Sequence, residues 1–366
     1  MDMKRDFISR RKFLQTASIL TAGSAILPMN RLYGGSISAV PQKDVVSIVK
    51  IKDGKISVAV EEAIDLLGGI KNVTTGINSV LLKPNLVAPD LNCTTKPEVV
   101  KTIAKLFKYS GKEVMIGEAS AAADSFNVIG NETYRTRKRE ILDRMQQHVF
   151  DTLGYTEMAR SLGIPLINLH SGEIVEVALD SGYAANSVRI HRALTEADLI
   201  CSIPMMKTHT LATVTLSMKN LIGLYPGTEY YSVRSWLHDR AAERGSSGVA
   251  YEVIDMNHAV KTGLSIIDAS SAMEGDGPFS GTLVDMNLII AGTSPLATDM
   301  VGSKVMGFET DEIPAIILAH KSGMKPENLS DIDIRGLGIE QVCRKFARPS
   351  VAKWTDINKF WGVKEL

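Results

Sequence analysis

Cysteine is scarce: Cys93, Cys201 and Cys343 are the only three in 366 residues, and they lie far apart. Neither a disulfide framework nor the paired CxxC clusters of zinc and iron–sulfur sites can be built from that number and spacing. Cys201, inside an apolar run, reads as a small buried hydrophobe. Charge of one sign is also missing, because 41 lysines and arginines meet 41 aspartates and glutamates. Without a sequence-wide positive field there is no counterion-release term to hold a polyanion, which argues against nucleic acid as a partner. The common catalytic signatures are absent too. There is no GxSxG elbow, Walker loop, GxGxxG turn or HxxxH pair, so serine-nucleophile hydrolysis, dinucleotide binding and a zincin site lose their usual support. Of the 7 histidines, His148, His170, His191, His258 and His320 have no partner at ligand spacing. His238, which comes after Tyr230, Tyr231 and Trp236, reads as a surface or packed residue.

What is present begins with an address. Lys4, Arg5, Arg10 and Arg11 precede a mildly apolar stretch from Phe13 to Leu27, shorter than the ~20 residues that a spanning helix needs. Ser9-Arg10-Arg11-Lys12-Phe13-Leu14 resembles the twin-arginine export signal, with Thr16, Ser18, Thr21, Gly23 and Ser24 diluting the apolar stretch. Residues 1–40 are therefore read as a signal region and 41–366 as a single domain. The expected location is periplasmic, or tethered to the outer face of the cytoplasmic membrane, with the twin-arginine translocase as a partner. Ser36-Ile37-Ser38-Ala39 offers small residues without a clean A-x-A, which leaves the cleavage site open.

With 45% hydrophobic and 22% charged residues, the chain can bury a sizeable core. After Pro41, short β-branched runs alternate with helical periodicity, the pattern of a doubly wound α/β fold with a mainly parallel sheet flanked by helices. Strands are expected from Val45, Ser79, Glu113, Ile164, Asp198, Leu264 and Met286. Helices are expected over Lys96–Ser110, Phe150–Leu162, Leu211–Ile222, Leu296–Met306 and Asp311–Ser322. The polar stretch Asp124–Gln147, with Arg135, Arg137, Lys138 and Arg139, reads as a helical insertion whose charges form a solvated face or a lid. Glu173–Arg189 alternates around Asp180-Ser181-Gly182 and predicts a β-hairpin at a sheet edge.

Ligands of open parallel sheets bind beyond the carboxyl ends of the strands. Five apolar runs here end in chemically similar residues: Lys83 and Asn85; Glu118; Lys207 and His209; Asp268 and then Glu274; and the helix carrying Asp299. One shared crevice is the expectation. Leu211, Val214, Met218 and Leu221 fall at helical spacing, so Lys207 and His209 would stand at a helix entrance that favours an anion, with Lys219 on the polar side. The acidic set Asp268, Glu274, Asp276 and Asp299 admits three accounts: an ion-pair network, a general acid–base group, or oxygen ligands for Mg²⁺ or Ca²⁺. Gly275, Gly277 and Gly281 around Pro278 predict a tight loop approached closely by ligand or packed chain.

KPNLVAPD with Thr94, Thr95 and Pro97, then IPMMKTHTLATVTLSMKNLIGLYP, IIDASSAMEGDGPFSG and SPLATDMVGSKVMG, together resemble the family named domain of unknown function 362. The resemblance spans about Val45 to Gly338. It implies that Lys83, Asn85, Lys207, His209, Lys219, Asn220, Glu274, Gly275, Gly277 and Asp299 occupy recurrent positions. Many relatives carry a ferredoxin-like four-iron four-sulfur module. This chain lacks the clustered cysteines, so no cluster is expected here and redox work would need a separate protein partner. The expected role is an enzyme acting on a small carboxylate or phosphate. In it Lys207, His209 and Glu274 are catalytic, Lys83, Asn85, Glu118, Lys219, Asn220, Gly275 and Gly277 bind substrate, and Asp268 and Asp299 orient cations or a divalent metal. The alternatives are an exported anion-binding protein without catalysis, and an accessory or maturation factor for a redox enzyme.

Overall fold

The computed structural model describes residues 43–350, apart from 131, 235 and 238–247, together with 364–366. Residues 1–40, read from the sequence as a signal region, and His238 lie outside the described residues.

The strands in chain order are β1 (Asp44–Lys50), β2 (Ser79–Pro84), β3 (Glu113–Glu118), β4 (Val128–Ile129), β5 (Glu132–Thr133), β6 (Leu166–Asn168), β7 (Ile174–Ala178), β8 (Ser187–His191), β9 (Leu199–Ile203), β10 (Met205–His209), β11 (Thr213–Thr215), β12 (Thr262–Glu274), β13 (Thr282–Val284), β14 (Leu288–Gly292) and β15 (Ile332–Gly336). The main sheet runs β15-β1-β14-β12-β9-β2-β3-β6. Every pairing along it is parallel except the two made by β14. It is a mostly parallel mixed sheet flanked by helices, an α/β fold.

Both faces of this sheet are covered, as its near-continuous apolar strands require. Successive residues alternate between two cores: Leu81, Ile200, Ile267 and Ile290 enter one, while Val80, Leu82, Cys201, Ile266 and Ile289 enter the other. The second core is capped by helices Ile56–Leu66, Pro97–Tyr109, Arg139–Thr152 and Tyr155–Leu162, the first by Ala250–Ala259, Pro295–Val305 and Pro314–Lys321. Helix Pro97–Tyr109 shows why these segments are helical. Proline opens it, Glu98 sits in its first turn, and Val99, Val100, Ile103, Ala104 and Phe107 form one buried stripe.

Three expectations need correction. Leu211–Ile222 is not a helix: β10 turns antiparallel into β11, and then come the short helix Ser217–Asn220 and a 3₁₀ turn over Leu221–Leu224. Leu211, Val214, Met218 and Leu221 are buried as expected, but so are most of their neighbours, and a segment enclosed on all sides carries no usable period. The β-branched Val214 and Thr215 then favour extended backbone, entered through Thr213 at a φ of 67°. The predicted Phe150–Leu162 helix is broken at Gly154, whose φ of 78° ends one helix and starts the next. The hairpin around Asp180 exists as β7 against β8, but as a separate two-stranded sheet and not at the edge of the main one. The insertion is a small β4–β5 ribbon and then helix Arg139–Thr152.

Candidate functional site

Lys83 is the fifth residue of β2 and shares the sheet face of Leu81, so its side chain rises on the side where the segment after β11 packs. Its Nζ donates to Glu118 Oε2 at 2.8 Å, to the Pro84 carbonyl at 2.9 Å and to Asn220 Oδ1 at 3.2 Å. Those three acceptors use all three ammonium protons. Lys83 and Glu118 are 1% and 2% exposed, and burial pushes the Lys83 ammonium below its ordinary range while Glu118 opposes that shift. Glu118 also accepts from the backbone N–H groups of Leu86 at 2.8 Å and Ala119 at 2.9 Å. Asn220 donates to the Lys83 carbonyl at 3.0 Å and to Ser202 Oγ at 3.1 Å. The carboxyl ends of β2 and β3 are thus tied to the Ser217–Asn220 helix by a satisfied polar framework.

Gly223 completes it. A Cβ at that position would lie 2.4 Å from Lys83 Nζ and 2.5 Å from Glu118 Oε1, so only glycine lets the 3₁₀ turn approach the ion pair.

Above this framework is a cleft of about 500 Å³ including its open mouth. Its polar lining consists of Lys83, Asn85, Glu118, His209, Lys219, Asn220 and Arg234, and Gly223 and Pro278 also border it. Among the described residues, three cations face one carboxylate. Lys219, partly exposed, makes no side-chain hydrogen bond or ion pair among the described residues. Burial first, and then the positive charges of Lys207, Arg234 and Lys83, push its amine down to about 7. Arg234 is 4% exposed. It donates to the Gly223 carbonyl at 3.2 Å, its Nε has no partner among the described residues, and burial lowers it to about 10. Asn85 Oδ1 is likewise buried without a donor among the described residues. His209 Nδ1 accepts from the Leu211 N–H at 3.0 Å, which leaves Nε2 to carry the proton of the neutral ring.

Arg234 is a site residue that the sequence did not point to. It reaches the cleft on a strained strap in which Tyr231, Val233 and Arg234 have φ of 63°, 51° and 53°. Tertiary hydrogen bonds hold that backbone, Ser232 N–H to Thr136 O at 2.8 Å and Val233 N–H to Ala121 O at 3.1 Å. No strand directly precedes Arg234, so a search confined to the carboxyl ends of strands passes it by.

The family model described as domain of unknown function (DUF362) matches residues 80–304, more than half of the chain. The chain belongs to this family. A thylakoid-associated protein, sll1697, from Synechocystis sp. (strain ATCC 27184 / PCC 6803 / Kazusa) is 26% identical over 276 residues, which cover 75% of this chain and 77% of that protein. Among solved structures, the lactate racemase apoprotein from Thermoanaerobacterium thermosaccharolyticum aligns with a TM-score of 0.44 at 14% identity, over 72% of this chain and 57% of that one. A protein from Thermotoga maritima aligns with a TM-score of 0.37 at 15% identity, over 74% and 59%. This chain therefore spans less than two thirds of the length of either solved structure.

All residues lining the cleft fall inside the DUF362 match. Of the expected site, Lys83, Asn85, Glu118, His209, Lys219 and Asn220 come together there, and the others do not line it. Lys207, on β10 rather than at a helix entrance, is 1% exposed and donates to the Cys93 carbonyl at 2.7 Å; burial lowers it to about 8. Glu274 accepts from Arg344 at 3.3 Å and from the Ala347 N–H at 3.0 Å, so it pins the C-terminal segment. Gly275 and Gly277 belong to the loop that packs on the end of β10. The Gly275 carbonyl accepts from Thr208 Oγ1 at 2.7 Å, and a Cβ on Gly277 would meet the Thr208 carbonyl at 2.1 Å. This loop supplies Pro278 to the cleft.

The two aspartates suggested for a metal are committed elsewhere in the DUF362 domain. Asp268 accepts from the Lys96 N–H at 2.8 Å, where helix Pro97–Tyr109 begins, and from the N–H and Oγ of Ser270 at 3.0 and 2.6 Å. Asp299 accepts from the N–H groups of Ser217 at 2.6 Å and Met218 at 2.9 Å, capping the short helix that carries Lys219. Burial raises both carboxyls, Asp299 to about 7. No group of three or more His, Cys, Asp or Glu placed to hold a metal occurs among the described residues.

Proposed function

We propose that the chain is an enzyme acting on a small anionic metabolite, a carboxylate or phosphate, held in the cleft by Lys219 and Arg234. The His209 Nε2–H serves as a hydrogen-bond donor to the bound molecule. The observation that carries this reading is the unequal lining: among the described residues three cations face a single carboxylate that Lys83 and two backbone amides already engage, and the Lys219 amine has no protein partner. A desolvated site with surplus positive charge is completed by an anion. Calorimetric titration with oxalate and with inorganic phosphate tests it. Wild-type protein should bind one of them, and Lys219→Met and Arg234→Met should each weaken binding by about tenfold or more, the cost of removing a charged partner. Unchanged affinity in both variants would sink the anion site. Turnover of a bound metabolite separates an enzyme from a binding protein.

Export by the twin-arginine route is proposed on Ser9–Leu14 alone. Fractionation of cells expressing the chain with Arg10 and Arg11 both changed to Lys should find it retained in the cytoplasm; undiminished export would refute the assignment. No helix among the described residues is long and apolar enough to cross a membrane.

A further inference from the structure

We propose that Lys219 is a nucleophilic amine that forms an imine with the carbonyl carbon of a 2-oxo acid. This deepens the anion-site reading and rests on it.

Three lysines are candidates for the site, and two are spoken for. All three protons of Lys83 meet acceptors in the ion-pair framework. Lys207 is sealed beneath the cleft against the Cys93 carbonyl and does not line it. Lys219 alone combines access to the cleft with a nitrogen that nothing among the described residues engages. Among the described residues the one carboxylate in the lining gives its oxygens to Lys83, Leu86 and Ala119, and none forms an ion pair that holds Lys219 as an ammonium. The neighbouring cations disfavour the charged form further, which puts the amine at about 7. Compared with an ordinary lysine of 10.5, the free-amine fraction at neutral pH rises roughly a thousandfold.

A nucleophile also needs its electrophile positioned. Arg234, with Nε unengaged among the described residues, supplies a planar donor for a carboxylate. An acid whose carbonyl adjoins its carboxylate can present both groups within so small a cleft. The Lys219 lone pair forms the C–N bond while the carbonyl π electrons move to oxygen. A proton passes from nitrogen to that oxygen, giving a neutral carbinolamine whose hydroxyl can donate to the unpaired Asn85 Oδ1. The hydroxyl, accepting a hydrogen bond from the His209 Nε2–H, then leaves as water with one proton taken from solvent, and the nitrogen lone pair closes the C=N bond. The sum is amine plus oxo acid plus one proton giving iminium plus water. The cation so formed stands where the neutral amine stood, next to the bound carboxylate, which favours it electrostatically.

The test uses full-length protein with pyruvate and sodium borohydride near neutral pH, then peptide mapping, beside an oxalate titration of the same preparation. One reduced pyruvate adduct is expected on Lys219, exceeding that on any other lysine by at least about tenfold, as an amine of depressed pKa requires. Lys219→Arg should remove it, with a circular dichroism spectrum confirming that the variant is folded. Excess oxalate should suppress labelling of the wild type. If oxalate binds but the adduct is missing, or is spread evenly over exposed lysines, the imine is wrong and the anion site stands. If oxalate and phosphate both fail to bind, the anion reading falls with it.

Discussion

At the scale of single residues, the position of a cation says little until its protons are counted. Lys83, Lys207 and Lys219 look equivalent in sequence, but the first two donate to protein acceptors, and among the described residues only the third is left for a ligand. The same holds for the acids: Asp268 and Asp299 look like ligands at strand and helix ends, yet both serve backbone amides. Lys219 carries a definite pH signature. Its folded value of about 7 lies below the ordinary 10.5, so between these values the unfolded chain binds a proton that the folded chain lacks. The group therefore opposes folding below about pH 7, and that cost is relieved as pH rises toward 10.5. Anion capture runs the other way, since the ammonium strengthens it. Oxalate affinity should fall as pH rises through about 7 and level off near the affinity of Lys219→Met, because Arg234 still holds the anion once the lysine is neutral. Calorimetry across that range checks this, and the trend should vanish in Lys219→Met. Near neutrality both forms coexist, so Arg234 can hold a carboxylate while the neutral amine attacks.

Among elements, the legible ones are those whose burial is one-sided or whose ends are marked. Helix Pro97–Tyr109 announces itself by its proline and its single apolar stripe, and the strands β1, β2, β3 and β9 by bounded β-branched runs. The segment from Met205 to Leu224 misleads because it is buried on nearly every side. Its apparent helical period puts Lys207 and His209 at a helix entrance that does not exist, although His209 and Lys219 still reach the cleft by another path. The Tyr231–Arg234 strap is illegible because its conformation is imposed by Thr136 and Ala121, far away in sequence. In the 3₁₀ turn at Gly223 the requirement is steric. Gly223→Ala must push its methyl against Lys83 Nζ or Glu118 Oε1. Splitting a buried ion pair from its partner costs about 3 kcal/mol, so a melting temperature lower by several degrees and loss of oxalate binding are expected from differential scanning calorimetry and titration. A variant with unaltered melting and binding would show that the turn can retreat.

On the scale of the whole molecule, the family match and the folding unit do not coincide. Residues 80–304 contain the cleft, but β1 precedes the match and β15 comes after it. β1 pairs with β14 from Val46↔Gly292 to Lys50↔Leu288, and on its other side with β15 from Asp44↔Ile332 to Ile48↔Gly336. It also places Val46 and Ile48 in one core and Val49 in the other. Cutting the chain to 80–304 would therefore open the hydrogen-bonding edge of β14, whose five residues are all buried, and uncover apolar surface on both faces of the sheet at once. With acids and bases balanced, the intact chain has little net charge to keep such an edge from pairing with another copy. A fragment of residues 80–304 should accordingly aggregate or lack a cooperative melting transition, while residues 43–366 melt cooperatively and bind oxalate. Light scattering and calorimetry on the two fragments decide it, and a monomeric, cooperatively melting 80–304 fragment would mean that β14 tolerates its open edge.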